Sequence, residues 1–410
     1  MYLGDLAPFI PAARRLHEAG HEVTFIAPEG FRPVLEPEPF AHARYALDCS
    51  PPAIDADPVH TKLMRHPFAN AGRLAGYWMD RGFADDPDGA AASLRAGMAG
   101  ADVVVTHPTM GSVTLPVARS LGAKVVVGHL FPMMVPTAEW TPPLYWYTPR
   151  LPAPVNRAAW QVLRTVSTVL FRERVINDLR RSCDLPPLRG NAGWAWIEAD
   201  ATVMLTSHHY YGAGARDWPP VTWGGFSIWP GPDGQALDPD LDAYLDAGPP
   251  PVVVTLGTSA AAGGGPRFAR IAADLDAAGL RSVLLVGHES NLASIASHPA
   301  AVTFAPLPSL LPRCSVAVVS GALGGLAAAL CAGVPVVVHP QLFDQLWHAR
   351  RVTELGVGLA ARRVGDVGPA VTRVATDPSF GHRARALAAR MAGEDGPGAV
   401  VAAVERLVGV

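Results

Sequence analysis

The stretch from Ser320 to Ala349, SGALGGLAAALCAGVPVVVHPQLFDQLWHA, contains a glycine-rich turn that is suited to binding an anion. Its pattern predicts the end of a strand, a turn and then a helix, and the N–H groups at such a helix start are unpaired. Gly321, Gly324 and Gly325 give the turn its flexible backbone directly after the serine. We interpret this turn as a phosphate site.

A second turn of the same kind follows the apolar run that ends at Leu256. Gly257, Thr258 and Ser259 offer flexible backbone donors and hydroxyl groups that suit a phosphate. A single glycine after a strand is more often a packing or turn residue than a phosphate cradle. Two such turns in one domain, however, indicate a diphosphate.

A polar loop follows the next strand and its proline. Asp344 and Gln345 are adjacent there, so paired hydrogen bonds to a ligand rich in hydroxyl groups are expected. The alternative is structural, because Asp344 also stands where it would cap the helix that follows. The two roles are compatible.

Length and composition limit the function classes. A chain of 410 residues usually forms two domains, and 49% hydrophobic against 17% charged residues suits a well-buried α/β protein. The formal net charge of -3, without a basic block, argues against nucleic acid as a partner. Four scattered cysteines, the lack of a long apolar run and the lack of a leader pattern predict a reduced, cytoplasmic protein.

Apolar runs alternate with helical patterns in both halves of the chain, which predicts parallel sheets. The predicted strands lie within 21–28, 101–108, 123–131, 201–207, 251–259, 281–287, 301–306, 315–321 and 334–340. A Pro-, Gly- and Asp-rich linker at 229–250 separates a domain at 1–228 from a domain at 251–410. The sequence shows no buried strand before the first helix, so we expect a start upstream or a trimmed form.

The segment from Pro132 to Leu188 interrupts this alternation of apolar runs and helical patterns with prolines and aromatic residues. We interpret it as an insertion that lines a cleft for a planar or hydrophobic molecule. The aromatic residues concerned are Trp140, Tyr145, Trp146 and Tyr147. A helical flap that packs on the first sheet is the alternative.

The segment GVPVVVHPQLFDQLWHARRVTELGVG resembles the donor-site signature of the family 1 nucleotide-sugar glycosyltransferases. These enzymes have the GT-B fold, an α/β architecture of two Rossmann-like domains. The matching positions are Gly333, Val334, Pro335, Pro340, Asp344, Gln345 and Ala349. The resemblance covers the whole second domain, including FAPLPSLLPRCSVAVVSG.

The resemblance implies a place for each part of the donor. The segment from Phe304 to Leu310, with Ala305 and Leu307, would frame the nucleotide base. Gly257, Thr258 and the turn at 320–325 would hold the phosphates, and the Asp-Gln pair would hold the sugar hydroxyls.

The chain also departs from the family pattern at three positions. Ser320 replaces a phosphate-contacting histidine, Gly325 replaces a threonine, and His348 replaces an asparagine. The lost histidine would weaken departure of the diphosphate by about 1–3 kcal/mol, the contribution of a hydrogen bond to a charged group.

The opening YLGDLAPFIPAARRLHEAGHEVTF is similar to the family's acceptor side. By this likeness Asp5 is the base that takes the proton of the acceptor hydroxyl, which such a hydroxyl requires at neutral pH. Without the likeness it would be a solvated carboxylate or a helix cap. His107, at a strand end, is either its partner or a structural histidine.

Together these features predict an inverting hexosyltransferase that moves a sugar from a nucleoside-diphosphate donor (UDP or dTDP) to a hydroxyl of an apolar small molecule. The alternatives are a catalytically impaired nucleotide-sugar binder and a nucleotide-sugar 2-epimerase. No cofactor and no metal are expected, and the acidic run at 84–88 is interpreted as a solvated loop. The sequence leaves the oligomeric state open, a homodimer included.

Overall fold

The computed structural model describes residues 3–67, 69–142, 151–190, 192–231, 234, 236–257, 264–342 and 344–410. They form two compact units. Unit 1 comprises residues 5–227 and 394–410, and unit 2 comprises mainly residues 228–393. Within these described ranges, no helix combines the length and the hydropathy that crossing a bilayer requires.

Unit 1 contains two parallel sheets. The smaller sheet pairs β1 (Thr24–Pro28) with β2 (Ala41–Tyr45). The larger sheet has the order β3-β4-β5-β6. Its strands are Val103–Thr106, Lys124–His129, Ala201–Met204 and Thr222–Trp223. One hydrophobic core holds residues from both sheets, including Tyr45 of β2 and Val125 of β4.

Eleven helices precede residue 228 within the described part of the chain. In order, α1–α11 are Leu3–Leu6, Ile10–Glu18, Arg32–Leu35, Pro51–Asp55, Pro58–Met64, Ala71–Met79, Pro87–Gly97, Gly111–Ser120, Ala153–Leu170, Glu173–Ser182 and His208–Tyr211. The predicted insertion therefore contains helices α9 and α10. Trp160 of α9 is 3% exposed and packs edge-on against Trp194.

The described part of the insertion thus packs on the core of unit 1, as in the alternative of a helical flap. Trp140 accepts a hydrogen bond at its carbonyl from the indole of Trp160 (2.8 Å). Tyr145, Trp146 and Tyr147, which we expected to line a cleft, lie outside the described residues.

Unit 2 contains one parallel sheet with the order β12-β11-β10-β7-β8-β9. Strands β7–β12 are Val252–Thr255, Ser282–Leu285, Ala301–Val302, Val316–Val319, Val336–Val338 and Gly358–Ala360. Helices α12–α18 are Pro239–Asp246, Gly265–Ala277, Leu307–Leu310, Leu323–Cys331, Gln345–Glu354, Val367–Thr376 and Pro378–Met391. Their apolar faces cover a core that includes Phe268, Val318 and Val371.

Helix α19 (Gly396–Val408) returns the chain to unit 1, where it packs on α2 and on strands β3 to β6. Glycines allow this close approach. A β-carbon at Gly224 would lie 2.8 Å from the Cβ of Ala399, and one at Gly396 would lie 2.4 Å from the oxygen of Gly225. The predicted α/β fold with parallel sheets in both halves is confirmed.

Candidate functional site

The turn after β10 presents a helix start that is free to bind an anion. Gly321 has a φ of +90°, which glycine adopts without strain, and helix α15 begins two residues later. The N–H groups of its first turn have no acceptor within the helix, and this turn carries no acidic residue. No atom of the described residues lies within 4 Å of the β-carbon position of Gly324, so space is open there.

Ser320, which stands in place of the family's histidine, organises this turn. Its side chain is buried, at 2% exposure, and its Oγ accepts a hydrogen bond from the N–H of Ala322 (3.2 Å). A β-carbon at Gly257 would lie 3.4 Å from that Oγ. The two glycine turns predicted to hold a diphosphate are therefore neighbours. Thr258 and Ser259 lie outside the described residues.

The loop after β11 also touches this turn. A β-carbon at Gly321 would lie 3.3 Å from the main-chain oxygen of Gln345. The Oε1 atom of Gln345 accepts hydrogen bonds from the N–H groups of Gln341 (2.7 Å) and Leu342 (3.2 Å). These hydrogen bonds fix the conformation of the loop. The sugar contact predicted for Gln345 would be a second role of this residue.

Asp344 does not cap α16 with its side chain, although it occupies the N-cap position. Its Oδ2 lies 3.5 Å from Nε2 of His348, which is fully buried, while the aspartate side chain is 21% exposed. One oxygen of the carboxylate thus contacts His348. The exposed part of the side chain could accept a hydrogen bond from a ligand hydroxyl.

Arg267 is a functional candidate that the sequence prediction missed. It is half-buried in the first turn of α13, and its Nη1 donates to Oε1 of Gln341 (2.7 Å). Burial lowers the pKa of Arg267, and its charge helps to lower the pKa of His339 nearby, where burial is the larger cause. Among the described residues no carboxylate pairs with this guanidinium. A cation at a helix start is unfavourable because it opposes the helix dipole. The position of Arg267 in the first turn of a predicted helix is therefore the sequence signal that could have identified it.

The predicted base-binding segment follows β9. Phe304 is 51% exposed, and its ring lies against Gly231, where a β-carbon would be 2.6 Å from Cζ. Ala305 is buried, and Leu307 is partly exposed at the start of α14. An exposed aromatic ring at a strand end is suited to stacking on a nucleotide base.

In unit 1 Asp5 and His107 lie near each other without a hydrogen bond from Nε2 of the histidine. Asp5 lies in α1, close enough for its charge to favour protonation of His107, while burial dominates and lowers the pKa of this histidine. The Nδ1 atom of His107 accepts from the N–H of Thr109 (3.2 Å), so the neutral ring carries its proton on Nε2. Phe9 and Phe131 flank the imidazole with ring centroids 6.1 and 5.6 Å away.

A cavity of about 360 Å³ lies elsewhere in unit 1, beside Ile54, Asp57, Tyr77 and Arg81. The Asp57 carboxylate accepts hydrogen bonds from the Tyr77 hydroxyl (2.8 Å) and the Arg81 guanidinium (2.7 Å). These hydrogen bonds, Arg81 foremost, lower the pKa of Asp57 to about 2. Ile54 therefore gives the cavity an apolar wall, and the hydrogen-bonded group of Asp57, Tyr77 and Arg81 gives it a charged wall.

The acidic run at 84–88 has structural roles in the described chain. Asp86 accepts a hydrogen bond from the N–H of Gly89 (2.9 Å) at the start of α7. Asp85 lies 3.4 Å from Arg81, four residues earlier.

Several known proteins resemble this chain in sequence. Residues 272–407 match the family described as Erythromycin biosynthesis protein CIII-like, C-terminal domain. The O-mycaminosyltylonolide 6-deoxyallosyltransferase of Streptomyces fradiae is 27% identical over 96% of this chain and 92% of its own length. The vancomycin aglycone glucosyltransferase of Amycolatopsis orientalis is also 27% identical, over 87% of this chain and 83% of its own.

Solved structures share the fold along nearly the whole chain. The glycosyltransferase SnogD from Streptomyces nogalater superposes with a TM-score of 0.67 at 23% identity, covering 99% of this chain and 96% of that one. The glycosyltransferase VinC in complex with dTDP gives a TM-score of 0.68 at 17% identity, covering 99% and 98%. Residues 272–407 therefore resemble the erythromycin biosynthesis protein CIII-like C-terminal domain, and the chain is a glycosyltransferase with the GT-B fold.

Proposed function

We propose that this protein transfers a sugar from a nucleoside diphosphate to a hydroxyl group of an apolar natural-product aglycone, with inversion at the anomeric carbon. The observation that carries the proposal is the meeting of three segments in unit 2, at Gly257, Gly321 and Gln345. An open helix start, the partly exposed carboxylate of Asp344 and the exposed ring of Phe304 surround or follow them. The named substrates of the relatives, a tylonolide and the vancomycin aglycone, support an aglycone acceptor.

In the proposed reaction Asp5 takes the proton of the acceptor hydroxyl as its oxygen attacks the anomeric carbon. The bond from that carbon to the diphosphate breaks in the same step, and a single displacement inverts the configuration. The leaving diphosphate gains negative charge, which the N–H groups at the start of α15 would stabilise. Arg267, which hydrogen-bonds Gln341 of the loop after β11 and has no carboxylate partner among the described residues, would add to this stabilisation.

Asp344 and Gln345 would orient the sugar, and Phe304 would stack on the base. Phe9 and Phe131 give the neighbourhood of Asp5 an apolar character that suits a poorly soluble acceptor. His107, held neutral by burial, would help to position the Asp5 carboxylate.

Calorimetric titration with UDP and dTDP, followed by a donor-hydrolysis assay with the corresponding nucleotide sugars, tests the proposal. We expect micromolar binding of at least one nucleotide and slow release of it from the matching sugar donor. Binding without release would favour the impaired binder, and the absence of heat with both nucleotides would refute the donor site. NMR of the anomeric proton in a glycosylated product reports inversion directly.

A further inference from the structure

A group of metal-ligating side chains lies in unit 1, away from the residues assigned above. His208 and His209 begin helix α11, and Glu394 lies where the chain re-enters unit 1. One ligand atom from each of these three residues lies within 4.8 Å of those of the other two. Two imidazoles and one carboxylate from distant parts of the sequence thus converge.

The backbone around Glu394 is held in place. Gly225 has a φ of +97°, and a β-carbon there would lie 2.4 Å from the Cβ of Glu394, so the two segments pack without a side chain between them. The next residue, Asp395, caps α19 by accepting from the N–H of Gly398 (3.1 Å) and pairs with Arg15 (2.5 Å). Asp395 is therefore satisfied by hydrogen bonds, whereas its neighbour is not.

The Glu394 side chain is 11% exposed, and both of its oxygens are buried. No described residue donates a hydrogen bond to either oxygen. Nδ1 of His208 approaches Oε1 to 2.9 Å, but the two atoms are not aligned as a hydrogen bond. A buried carboxylate without donors is unfavourable, and a cation between the carboxylate and the imidazoles would remove that cost.

We propose that His208, His209 and Glu394 bind a divalent first-row transition metal, with Zn²⁺ as the expected ion. Nitrogen and carboxylate ligands suit zinc, which takes three protein ligands and a water in open tetrahedral sites. Ligand atoms about 2.0–2.1 Å from such an ion are roughly 3.3 Å apart, so small side-chain rotations suffice. The His208 side chain, 44% exposed, leaves a route of entry.

The site is structural. It would fasten the start of the returning segment to α11, and none of its residues belongs to the proposed donor or base groups. It is therefore independent of the transfer reaction. The alternative is an ion pair between His208 and Glu394 that involves no metal.

The test is titration of the full, tag-free protein with ZnCl2, followed by calorimetry and by thermal unfolding, with Co²⁺ as a spectroscopic probe. We expect one equivalent to bind, the unfolding temperature to rise, and cobalt to give visible absorption of tetrahedral type. Glu394→Gln and His208→Ala should each weaken binding at least tenfold and abolish the cobalt spectrum.

The matched control is the pair His21 and Glu405, whose Nε2 and Oε1 atoms are 3.9 Å apart. Like the proposed site, this pair joins a histidine to a glutamate of the C-terminal segment 394–410. Glu405→Gln should leave the zinc affinity unchanged. If Glu394→Gln does not fold, His209→Asn gives the same comparison. Absence of zinc binding by the unaltered protein, or equal binding by the site and control variants, overturns the proposal in favour of an ion pair.

Discussion

Gly321 and Gln345 are in backbone contact. A β-carbon at Gly321 would lie 3.3 Å from the Gln345 oxygen, 3.4 Å from its Cα and 2.8 Å from Cγ1 of Val338. The turn proposed to bind the diphosphate and the loop proposed to bind the sugar therefore share one surface.

Replacing Gly321 by alanine should destabilise unit 2 and abolish nucleotide binding. The φ of +90° strains any residue with a β-carbon, and the space is filled, so we expect a loss of about 1–3 kcal/mol. Gly324→Ala is the control for stability, because its position is open and alanine favours a helix. Urea unfolding and UDP or dTDP titration of both variants measure the difference; equal stability of the two would contradict the packing described.

Arg267→Gln should weaken binding of UDP or dTDP by about 10- to 100-fold, the effect of one lost hydrogen bond to a charged group. The affinity of the free nucleoside should not change, since the guanidinium is expected to contact phosphate. Arg270→Gln, on the same helix but paired with Asp274 at 3.0 Å, is the matched control. A uniform loss for nucleoside and nucleotide would show that Arg267 acts only by holding Gln341.

Asp344→Asn should impair use of the intact nucleotide sugar more than binding of the free diphosphate. The reason is that its carboxylate, which contacts His348 through Oδ2, is partly exposed and would touch sugar hydroxyls. Gln345→Ala should weaken both ligands, because Oε1 also organises the loop at 341–342. Competition assays with nucleotide sugar and free nucleotide compare the two variants. An equal loss of both ligands in Asp344→Asn would make this residue structural.

Asp5→Asn should keep the donor affinity within a few-fold and lower turnover by about 10²–10⁴, the contribution of a general base. Single-turnover product formation and nucleotide titration separate the two effects. Undiminished turnover would exclude Asp5 as the base and make His107→Gln the next variant to measure. A smaller loss in His107→Gln than in Asp5→Asn is expected from a positioning role.

Stability should fall as the pH decreases below about 6.5, partly because of His129. Burial, with a smaller contribution from the charge of His107, lowers the pKa of His129 to about 3. Between these two pH values the unfolded chain therefore binds a proton that the folded protein excludes. The free energy of unfolding falls by roughly 1.4 kcal/mol for each unit by which the pH decreases. The stabilisation that the neutral His129 ring provides has its full value above pH 6.5. It is lost progressively as the pH falls toward 3.

His129→Asn should remove this part of the pH dependence, since the Asn side-chain oxygen can accept from the N–H of Phe131 as Nδ1 now does (3.1 Å). Urea unfolding at pH 7, 6 and 5 gives the slope for each protein. Parallel slopes would mean that His129 does not titrate differently in the two states.

The long apolar runs predicted nine of the twelve strands in the described chain, because a parallel strand covered on both faces is apolar throughout. The short strands β6 and β12 were not predicted. Strand β2, with the sequence AHARY, escaped prediction since most of its side chains are exposed or half-exposed. For the proline-rich insertion the sequence left two interpretations open, a cleft lining and a helical flap. Pro154 stands in the first turn of α9, where proline favours a helix, and no later proline interrupts that helix.

The candidate site was predictable only in part. Glycine turns and the Asp-Gln pair are local patterns, so their residues could be named from the sequence. The sequence signals Arg267 only through its place at a helix start. Its burial and its lack of a carboxylate partner among the described residues depend on distant neighbours. The same holds for Glu394, which meets His208 across 186 positions of the chain.

The position of α19 has a consequence for synthesis on the ribosome. Chains emerge from the N-terminus onward and domains generally fold as units, so the main body of unit 2 is complete once residue 393 has emerged. Unit 1 begins earlier, yet it must wait for residues 394–410, which cover strands β3 to β6. The half of the protein that is translated first is therefore the half that folds last, and its exposed sheet is the surface that a chaperone would have to protect meanwhile.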